Sequence, residues 1–366
     1  MRFRQTVGGA NGTSGAAWGP AHAGPSNVVG MRARIICFVA LFVHLIAGAT
    51  SAAVYRMMSG DHTTINPDRS ATEAGDTFDP VQNGSPAAPW ISTEHFAGNY
   101  SIGMQVPTDH SGNAQRFEYK ILKAAETNGL HFDNARYSGF AFKLASAPAA
   151  FTGSSIFWQA WQGSPWGPPV SLKFGSGSSA PYRIRLAIRN ASVGPDSSVP
   201  DIELWNASLI YPDTWYRVVV YLFPRYDTDG NIKLWINGTN YLDWTGPIGY
   251  DPGSVTGAYN GLDIKNGIYQ PNSNNTHTLY FDQVIVADSY AEAAAVLPTV
   301  SNPALSNGVW RMLVNGDAVP FTIQTSTNLV DWSLLLTTNP PALPFWFEDP
   351  TSAGNPCRFY RVGPGP

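Results

Sequence analysis

The stretch Gly261-Leu-Asp-Ile-Lys-Asn-Gly-Ile-Tyr-Gln270 decides how the rest of the chain is interpreted. Its apolar and polar residues alternate, and a period of two predicts a β-strand. On that strand Lys265, Gly267 and Tyr269 share one face. A glycine inside a strand often marks a bulge or a close approach to the backbone. We therefore expect a ligand to lie across the strand at Gly267, although an ordinary solvated face fits the same ten residues.

Strand patterns of this kind recur along the chain, with turn signals between them and no long helical period. Short strands separated by polar turns are typical of sandwiches and jelly rolls. The sequence therefore predicts an all-β protein. The predicted strands are 101–106, 115–123, 137–144, 155–161, 170–174, 182–189, 201–205, 215–223, 232–236, 261–269 and 276–287.

The sequence predicts two hairpin connections after the strand 215–223. The loop Tyr226-Asp-Thr-Asp-Gly-Asn231 leads into the strand 232–236, and Asn237-Gly238 forms the next turn. The alternating acidic residues of the loop resemble part of a calcium site, but an EF-hand has its glycine later and ends in Glu. We interpret the loop as a turn and expect no metal centre and no cofactor, leaving a structural calcium ion open.

The N-terminal region predicts export. From Met31 a basic start is followed by the apolar run Ile35–Ala47 and by small residues up to Ala53, which is the pattern of a signal peptide. The run is too short to span a membrane comfortably. We therefore interpret residues 31–53 as a signal peptide, residues 1–30 as upstream sequence or an over-long leader, and the mature protein as secreted or periplasmic.

Composition limits the partners. Charged residues make up only 13% of the chain, the net charge is −4 and the pI is about 5.9. No global basic field recruits nucleic acid or an anionic membrane. Of the two cysteines, Cys37 lies in the leader, so the remaining Cys357 has no intramolecular disulfide partner. We expect a monomer stabilised by its apolar core.

The domain organisation follows from shifts in composition. Residues 54–296 form the main domain, which begins with an irregular entry segment or first edge strand. The proline-bounded segment 297–303 is predicted to be a linker. Alternating strands in residues 304–366 predict a small β-sandwich module, which resembles a C-terminal module of secreted bacterial proteins and carries no catalytic constellation.

Three predicted strands carry unusual polar faces. In Arg116-Phe-Glu-Tyr-Lys120 the alternation places the charged residues on one side, and in Phe157-Trp-Gln-Ala-Trp-Gln162 it places Gln159 beside Trp161. The third is the strand of Lys265 and Tyr269. If the three faces line one concave sheet, they form a groove with cations, an amide, a phenol and an aromatic platform. Taken singly, each also fits a surface ion pair, a satisfied buried amide or core packing.

Together these segments resemble the three signature strands of jelly-roll polysaccharide lyases, in the same order along the chain. The similar families are alginate lyases with Arg-x-Glu-Leu, Gln-Ile-His and Lys-Ala-Gly-x-Tyr motifs, the glucuronan lyases and heparin lyase I. The segment 158–169 is most similar to the heparin lyase I-like branch. The resemblance covers about residues 95–290 and implies a concanavalin-like β-jelly roll that cleaves a uronic-acid polysaccharide by β-elimination.

The resemblance also implies roles for individual residues. Arg116 and Gln159 bind and neutralise a uronate carboxylate, Tyr269 exchanges protons, and Lys265 contacts the sugar acid. Further substrate-binding residues are Glu118, Lys120, Trp161, Gln162 and Gln270. The sequence departs from the pattern at Trp161, where the family has histidine, and this leaves Tyr269 as the main proton-transfer residue. His131 or His277 could substitute for the missing histidine in space, although a lone histidine on a β-strand is more often structural.

The chemistry needs a second cation near Tyr269. A free phenol has a pKa near 10, so its ionisation at neutral pH costs about 4 kcal/mol. Lys265 lies four strand residues away, about 13 Å, which exceeds a Debye length of about 8 Å. Arg116 is therefore the predicted second cation.

Two other functions fit parts of the pattern. A non-catalytic carbohydrate-binding protein could have the same fold, with Trp161 marking lost catalysis. A glycoside hydrolase needs two carboxylates across the scissile bond, and no compact Glu-x-Asp-x-x-Glu run is present.

Overall fold

A computed structural model describes the chain from residue 54 to residue 364. Within this range it leaves out 62, 74, 85, 108–113, 146–154, 176–179, 197–198, 228, 271–275, 297–298, 307–308, 316–320, 328–330, 339–343 and 353–357. The predicted leader and signal peptide, and Cys357, lie outside the described residues. In the part of the chain that is described, no helix is long and apolar enough to cross a bilayer.

The main domain consists of two antiparallel sheets. Its strands are β1 (Val54–Met58), β2 (Thr64–Ile65), β3 (Ala71–Glu73), β4 (Asp76–Asn83), β5 (Trp90–Ser92), β6 (Ser101–Val106), β7 (Gln115–Leu122), β8 (Arg136–Leu144), β9 (Ser155–Trp161), β10 (Val170–Phe174), β11 (Tyr182–Ile188), β12 (Ile202–Ile210), β13 (Trp215–Phe223), β14 (Asn231–Ile236), β15 (Thr239–Thr245), β16 (Asp263–Gln270) and β17 (His277–Ala287). A short helix, α1 (Tyr290–Ala294), follows. This architecture confirms the predicted all-β jelly-roll fold.

Strand order separates a supporting sheet from the sheet that carries the polar faces. The supporting sheet runs β15-β14-β13-β8-β17-β6-β5, with β1 also paired to β17. The other sheet runs β12-β11-β10-β9-β16-β7-β4-β3-β2. The three strands of interest, β9, β16 and β7, are thus neighbours at its centre. Non-consecutive neighbours such as these arise because the chain crosses repeatedly between the two sheets, as in a jelly roll.

A single apolar core fills the space between the sheets. It receives Phe117 and Tyr119 from β7 and Ile264 and Ile268 from β16, all of them buried. Trp158 is also fully buried, and its indole Nε1 donates a hydrogen bond of 3.0 Å to Ser138 Oγ on β8 of the opposite sheet. One of the two tryptophans of β9 is therefore a core residue. Burial of these faces fixes the register that turns the polar faces outward.

Most central strands were located by their alternation. The bounds of 101–106, 155–161, 170–174 and 215–223 agree with β6, β9, β10 and β13. Five strands, β1 to β5, occupy the region expected to be an irregular entry segment or a first edge strand, and β15 was not predicted. Those segments are short or largely exposed, and Pro80 interrupts β4, so the period of two is weak there.

The two predicted hairpin connections are confirmed. Asn237 and Gly238 have φ of +49° and +78° between β14 and β15, which is the backbone of a tight hairpin turn. In the preceding acidic loop, Arg225 forms an ion pair of 2.7 Å with Asp227. Among the described residues no group of three acidic, histidine or cysteine side chains is arranged to hold a metal ion.

The C-terminal region contains two three-stranded sheets. Their strands are β18 (Thr299–Ser306), β19 (Val309–Asn315), β20 (Phe321–Ser326), β21 (Ser333–Thr338), β22 (Phe345–Asp349) and β23 (Phe359–Pro364). Their orders are β18-β19-β22 and β21-β20-β23, and both sheets contribute to a small core around Met312, Ile323 and Val362. The linker prediction is wrong for residues 299–303, because β18 begins there and pairs with β19.

Candidate active site

The registers of β7, β16 and β9 bring the predicted residues together. Tyr269 lies opposite Arg116, and Gly267 lies opposite Glu118. On the other side of β16, Lys265 lies opposite Gln159. Because all six residues are on the outer face of the same sheet, the five side chains among them share one surface, as the alternation predicted.

Gly267 is required by the neighbouring strand. Its φ is +155°, and a Cβ built there would lie 2.2 Å from the carbonyl oxygen of Phe117 and 2.4 Å from the Cα of Glu118. The pairing of β16 with β9 also shifts register between Asn266 and Tyr269, which is a β-bulge. The backbone of β7 therefore occupies the space that a side chain at residue 267 would need, and this close approach together with the bulge accounts for the glycine.

Glu118 joins the two groups expected to bind a carboxylate. Its side chain is fully buried, and it pairs with the Nε of Arg116 through one oxygen. Its other oxygen accepts a hydrogen bond of 2.5 Å from Gln159 Nε2. Both carboxylate oxygens are therefore used inside the protein. Contrary to the sequence expectation, Glu118 is not available to a substrate, and it holds Arg116 and Gln159 in place instead.

Arg116 also contacts Tyr269. The central carbon of its guanidinium group lies 5.0 Å from the centroid of the Tyr269 ring, within the range of a cation–π contact. Tyr269 is half-buried and Arg116 is partly exposed, so both reach the outer face of the sheet, where the groove is predicted. The positive charge predicted to lie near the phenol is therefore present. Gln159, in contrast, is only 1% exposed, so Arg116 and Tyr269 form the part of the site that reaches the surface, and an arginine suits a sugar that carries a carboxylate.

Comparison with protein families decides the class. A family model described as polysaccharide lyase matches residues 81–285, which is more than half of the 366-residue chain. The match includes all three site strands. The chain belongs to the polysaccharide lyase family. This lyase therefore acts on polysaccharides.

Solved structures with related folds share little sequence with this lyase. The endo-β-1,4-glucuronan lyase of the fungus Trichoderma reesei is 16% identical, with a TM-score of 0.45, over 57% of this chain and 90% of that one. Alginate lyase A1-II′, of polysaccharide lyase family 7, is 16% identical, with a TM-score of 0.37, over 53% and 82% of the two chains. The cellulose-induced protein Cip1 is 14% identical, with a TM-score of 0.36, over 58% and 91%. No curated protein matches the sequence.

Trp161 covers Lys265 in this lyase. The Lys265 ammonium lies 3.5 Å from the centroid of the Trp161 ring, and its side chain is only 1% exposed. Trp161 is itself held by a hydrogen bond of 3.1 Å from its Nε1 to the carbonyl of Trp166 and by edge contact with Tyr259. Burial lowers the pKa of Lys265 to about 7, because a charged amine loses hydration there.

Two of the expected substrate-binding glutamines are inside the protein. Gln162 is buried, and its Nε2 donates hydrogen bonds to the carbonyls of Tyr250 and Tyr259, at 2.6 and 3.1 Å. It therefore anchors the loop that carries Tyr259. Gln270 is fully buried on the core side of β16. Both assignments are corrected, because neither side chain reaches the groove.

The two histidines considered as replacements differ in position. His277 is 1% exposed on β17 of the supporting sheet, and burial lowers its pKa to about 4. That position excludes it from the groove. His131 lines one cavity together with Lys120, and its ring nitrogens face the carbonyls of Asn260 and Glu126 at 3.1 and 3.4 Å.

Lys120 lines a cavity. Its ammonium pairs with Asp263 at 3.4 Å and lies 6.0 Å from the Trp161 ring centroid. The cavity has a volume of about 400 Å³. It also includes residues that the sequence analysis did not select: Lys123, Tyr259 and Asn260. Lys123 was recognised only as the end of a strand. Tyr259 and Asn260, directly before the quoted stretch, carried no periodic signal.

Proposed function

We propose that this polysaccharide lyase cleaves a uronic-acid-containing polysaccharide by β-elimination, with Tyr269 as the proton-transfer residue. Arg116 binds and neutralises the carboxylate of the sugar whose bond is cleaved, and Gln159, which is 1% exposed, contacts that carboxylate if the side chains around it rearrange on binding. The observation that carries the proposal is the contact of Arg116 with both Glu118 and the Tyr269 ring. One cation thereby serves the carboxylate site and the phenol.

The reaction begins at the carbon next to the carboxylate. A base removes the proton from C5, and the resulting negative charge spreads onto the carboxylate oxygens. Hydrogen bonds from Arg116 and Gln159 stabilise that charge more strongly in the transition state than in the ground state. The C4–O4 bond then breaks, C4 and C5 form a double bond, and the leaving oxygen takes up a proton. Each positioned proton transfer contributes about 10²–10⁴-fold to the rate.

Tyr269 is the group assigned to these proton transfers. It lies opposite Arg116 and is half-buried on the face where the groove is predicted. As the phenolate it can accept the C5 proton, and the Arg116 guanidinium group lies beside its ring. The same phenol can afterwards donate a proton to the leaving oxygen. No second base is required in this scheme, which fits a site with Trp161 where related lyases have histidine.

Lys265 has a different role in the structure as it stands. Its ammonium is covered by the Trp161 ring, so contact with the sugar acid requires that ring to move away. With the ring in place, Lys265 supports the aromatic floor of the groove. It also adds positive charge beneath Gln159, its neighbour across the strand pair.

An absorbance assay tests the proposal. Cleavage by β-elimination leaves an unsaturated uronate at each new non-reducing end, which absorbs in the ultraviolet. The purified protein is expected to raise this absorbance with at least one of alginate, glucuronan and heparin-type glycans. A panel without any rise contradicts the uronate assignment, and binding without product selects the carbohydrate-binding alternative.

Export is part of the same proposal. The basic, apolar and small-residue segments of residues 31–53 fit a signal peptide, and a polysaccharide substrate is found outside the cell membrane. Expression of the chain in a bacterial host is expected to release a protein whose first residue follows Ala52 or Ala53. N-terminal sequencing of the exported protein measures this. An uncleaved chain retained in the cytoplasm contradicts export.

A further inference from the structure

The cavity beside Trp161 is separate from the proposed proton-transfer residues. Tyr269 and Arg116 lie at one end of the β7–β16 pair, whereas Lys120 and Asp263 lie towards the other. The cavity volume of about 400 Å³ lies within the range of about 300–1,000 Å³ typical of ligand sites. It therefore has room for a sugar residue beyond the one that is cleaved.

The charges that line the cavity favour an anion. Two ammonium groups, Lys120 and Lys123, line it together with one carboxylate, Asp263. Asp263 is 2% exposed and also accepts a hydrogen bond of 2.8 Å from the backbone N–H of Ala124. Lys123 pairs with Asp79 at 2.6 Å, but the Asp79 side chain is 48% exposed and does not line the cavity. Water screens that exposed pair, so Lys123 can turn to a ligand at little cost.

Tyr259 supplies an aromatic surface at the same place. It is 41% exposed, and its ring contacts Trp161 edge-on with the centroids 5.6 Å apart. Gln162 fixes this residue through two hydrogen bonds, since it donates to the Tyr259 carbonyl and its own carbonyl accepts from the Tyr259 N–H at 2.5 Å. A fixed, exposed ring gives a sugar an apolar surface to stack on at low entropic cost.

A second cavity continues the path. It has a volume of about 680 Å³, shares His131 and Asn260 with the first, and reaches Arg225 and Tyr226. Two cavities with a common wall suit an extended ligand better than a single small molecule. The occupant is therefore expected to be part of a polymer.

From this arrangement we infer that the cavity beside Trp161 is a further subsite, in which Lys120 and Lys123 bind the carboxylate of a neighbouring uronate residue while its ring lies against Tyr259. The inference rests on the proposed function for its substrate class. It adds a specific consequence, namely that affinity increases when the oligosaccharide is long enough to reach this cavity.

The test compares oligosaccharides of increasing length. Affinities of the wild type and of Lys123→Gln are measured by calorimetry with saturated uronate oligomers of two to six residues. The variant is expected to lose about tenfold in affinity for the longer oligomers, because one charge-assisted contact is removed. The loss should grow with length and shrink at high salt.

A matched control variant and a neutral ligand separate the effect of the lost charge from a structural effect of the substitution. Lys233 forms an exposed ion pair of 2.9 Å with Asp243 on the supporting sheet, so Lys233→Gln should bind like the wild type. Neutral glucan oligomers should not distinguish Lys123→Gln from the wild type. An equal loss at every length, or no loss, overturns the subsite.

The binding readout also distinguishes this inference from the proposed function. Turnover of a uronan with no length-dependent effect of Lys123→Gln refutes the subsite alone. Length-dependent binding without an unsaturated product refutes the elimination chemistry and leaves the subsite intact. Absence of binding to any uronate oligomer refutes both.

Discussion

Glu118 accepts a hydrogen bond of 2.5 Å from Gln159 across the strand pairings of β7, β16 and β9, while its second oxygen pairs with Arg116. The carboxylate is fully buried, so the two groups assigned to the substrate carboxylate share one internal acceptor. Such a group positions its partners and does not itself touch the substrate. Substitution of Glu118 should therefore lower turnover by displacing Arg116 and Gln159.

Replacement of Glu118 by Gln tests this positioning role. Arg116 and Gln159 bond to different oxygens of Glu118, and in the amide one of these oxygens becomes an NH₂ group that meets a donor of either partner. A misplacement of about 1 Å can cost about 10²-fold, and we expect kcat to fall by that amount. Steady-state kinetics well below the melting temperature provide the measurement. Glu203→Gln, which removes an exposed pair of 3.4 Å with Arg185, is the control. An unchanged kcat in a folded Glu118→Gln variant contradicts the role.

Replacement of Tyr269 by Phe tests the proton-transfer assignment. The ring keeps its contact with Arg116, but the hydroxyl that exchanges protons is lost. Turnover should fall by about 10²–10⁴-fold, with little change in affinity for oligosaccharides. Kinetics and calorimetry measure the two effects separately. Tyr241→Phe, at a 39% exposed tyrosine on β15, should retain full activity. Activity of Tyr269→Phe within tenfold of the wild type would remove Tyr269 from the mechanism.

The fold, and the sheet face that the site residues share, could be predicted from the sequence for one physical reason. Central strands bury one face completely, so their alternation is clear, and the sidedness of Arg116, Gln159 and Tyr269 follows from it. The same alternation places Gln270 on the other face of β16 from Tyr269, and the structure shows Gln270 in the interior. Its assignment to the substrate came from the family resemblance alone.

Other features depend on contacts that local pattern does not encode. The stacking of Lys265 under Trp161 depends on the pairing of β9 with β16, and these two strands lie far apart in sequence. The buried role of Glu118 depends on how closely β7 approaches Gly267. Most residues of edge strands such as β15 are exposed, so hydrophobic periodicity gives little signal there.

Replacement of Gly267 by Ala should disturb both stability and activity. The new Cβ would meet the backbone of Phe117 and Glu118, which cannot move aside as a flexible side chain can. We expect a loss of about 2–4 kcal/mol in the free energy of unfolding, together with reduced turnover because Glu118 shifts. Urea denaturation and kinetics measure the two effects. Gly194→Ala has a φ of +70° with open space around it and should cost only about 1 kcal/mol. Equal losses in the two variants would mean that the strand approach is unimportant.

Replacement of Lys265 by Met should change how stability depends on pH. Burial lowers the pKa of Lys265 to about 7 in the folded protein, whereas an unfolded lysine titrates near pH 10.4. Between these two pH values the unfolded chain binds more protons than the folded protein. Lys265 therefore makes the free energy of unfolding rise with pH, by up to about 1.4 kcal/mol per pH unit. That contribution is fully present above about pH 10.4 and is lost as the pH falls through about 7. The Met variant keeps much of the packing against Trp161 but lacks this rise.

Urea denaturation of the wild type and of Lys265→Met at pH 7 and pH 9.5 measures the difference, since titrations common to both proteins cancel. The stability of the wild type relative to the variant should increase at the higher pH. Lys233→Met is the control, because a hydrogen bond with Asp243 raises the pKa of that exposed lysine. It should keep the rise seen in the wild type. A Lys265→Met variant that keeps the same rise would show that Lys265 stays charged beneath Trp161 throughout this pH range.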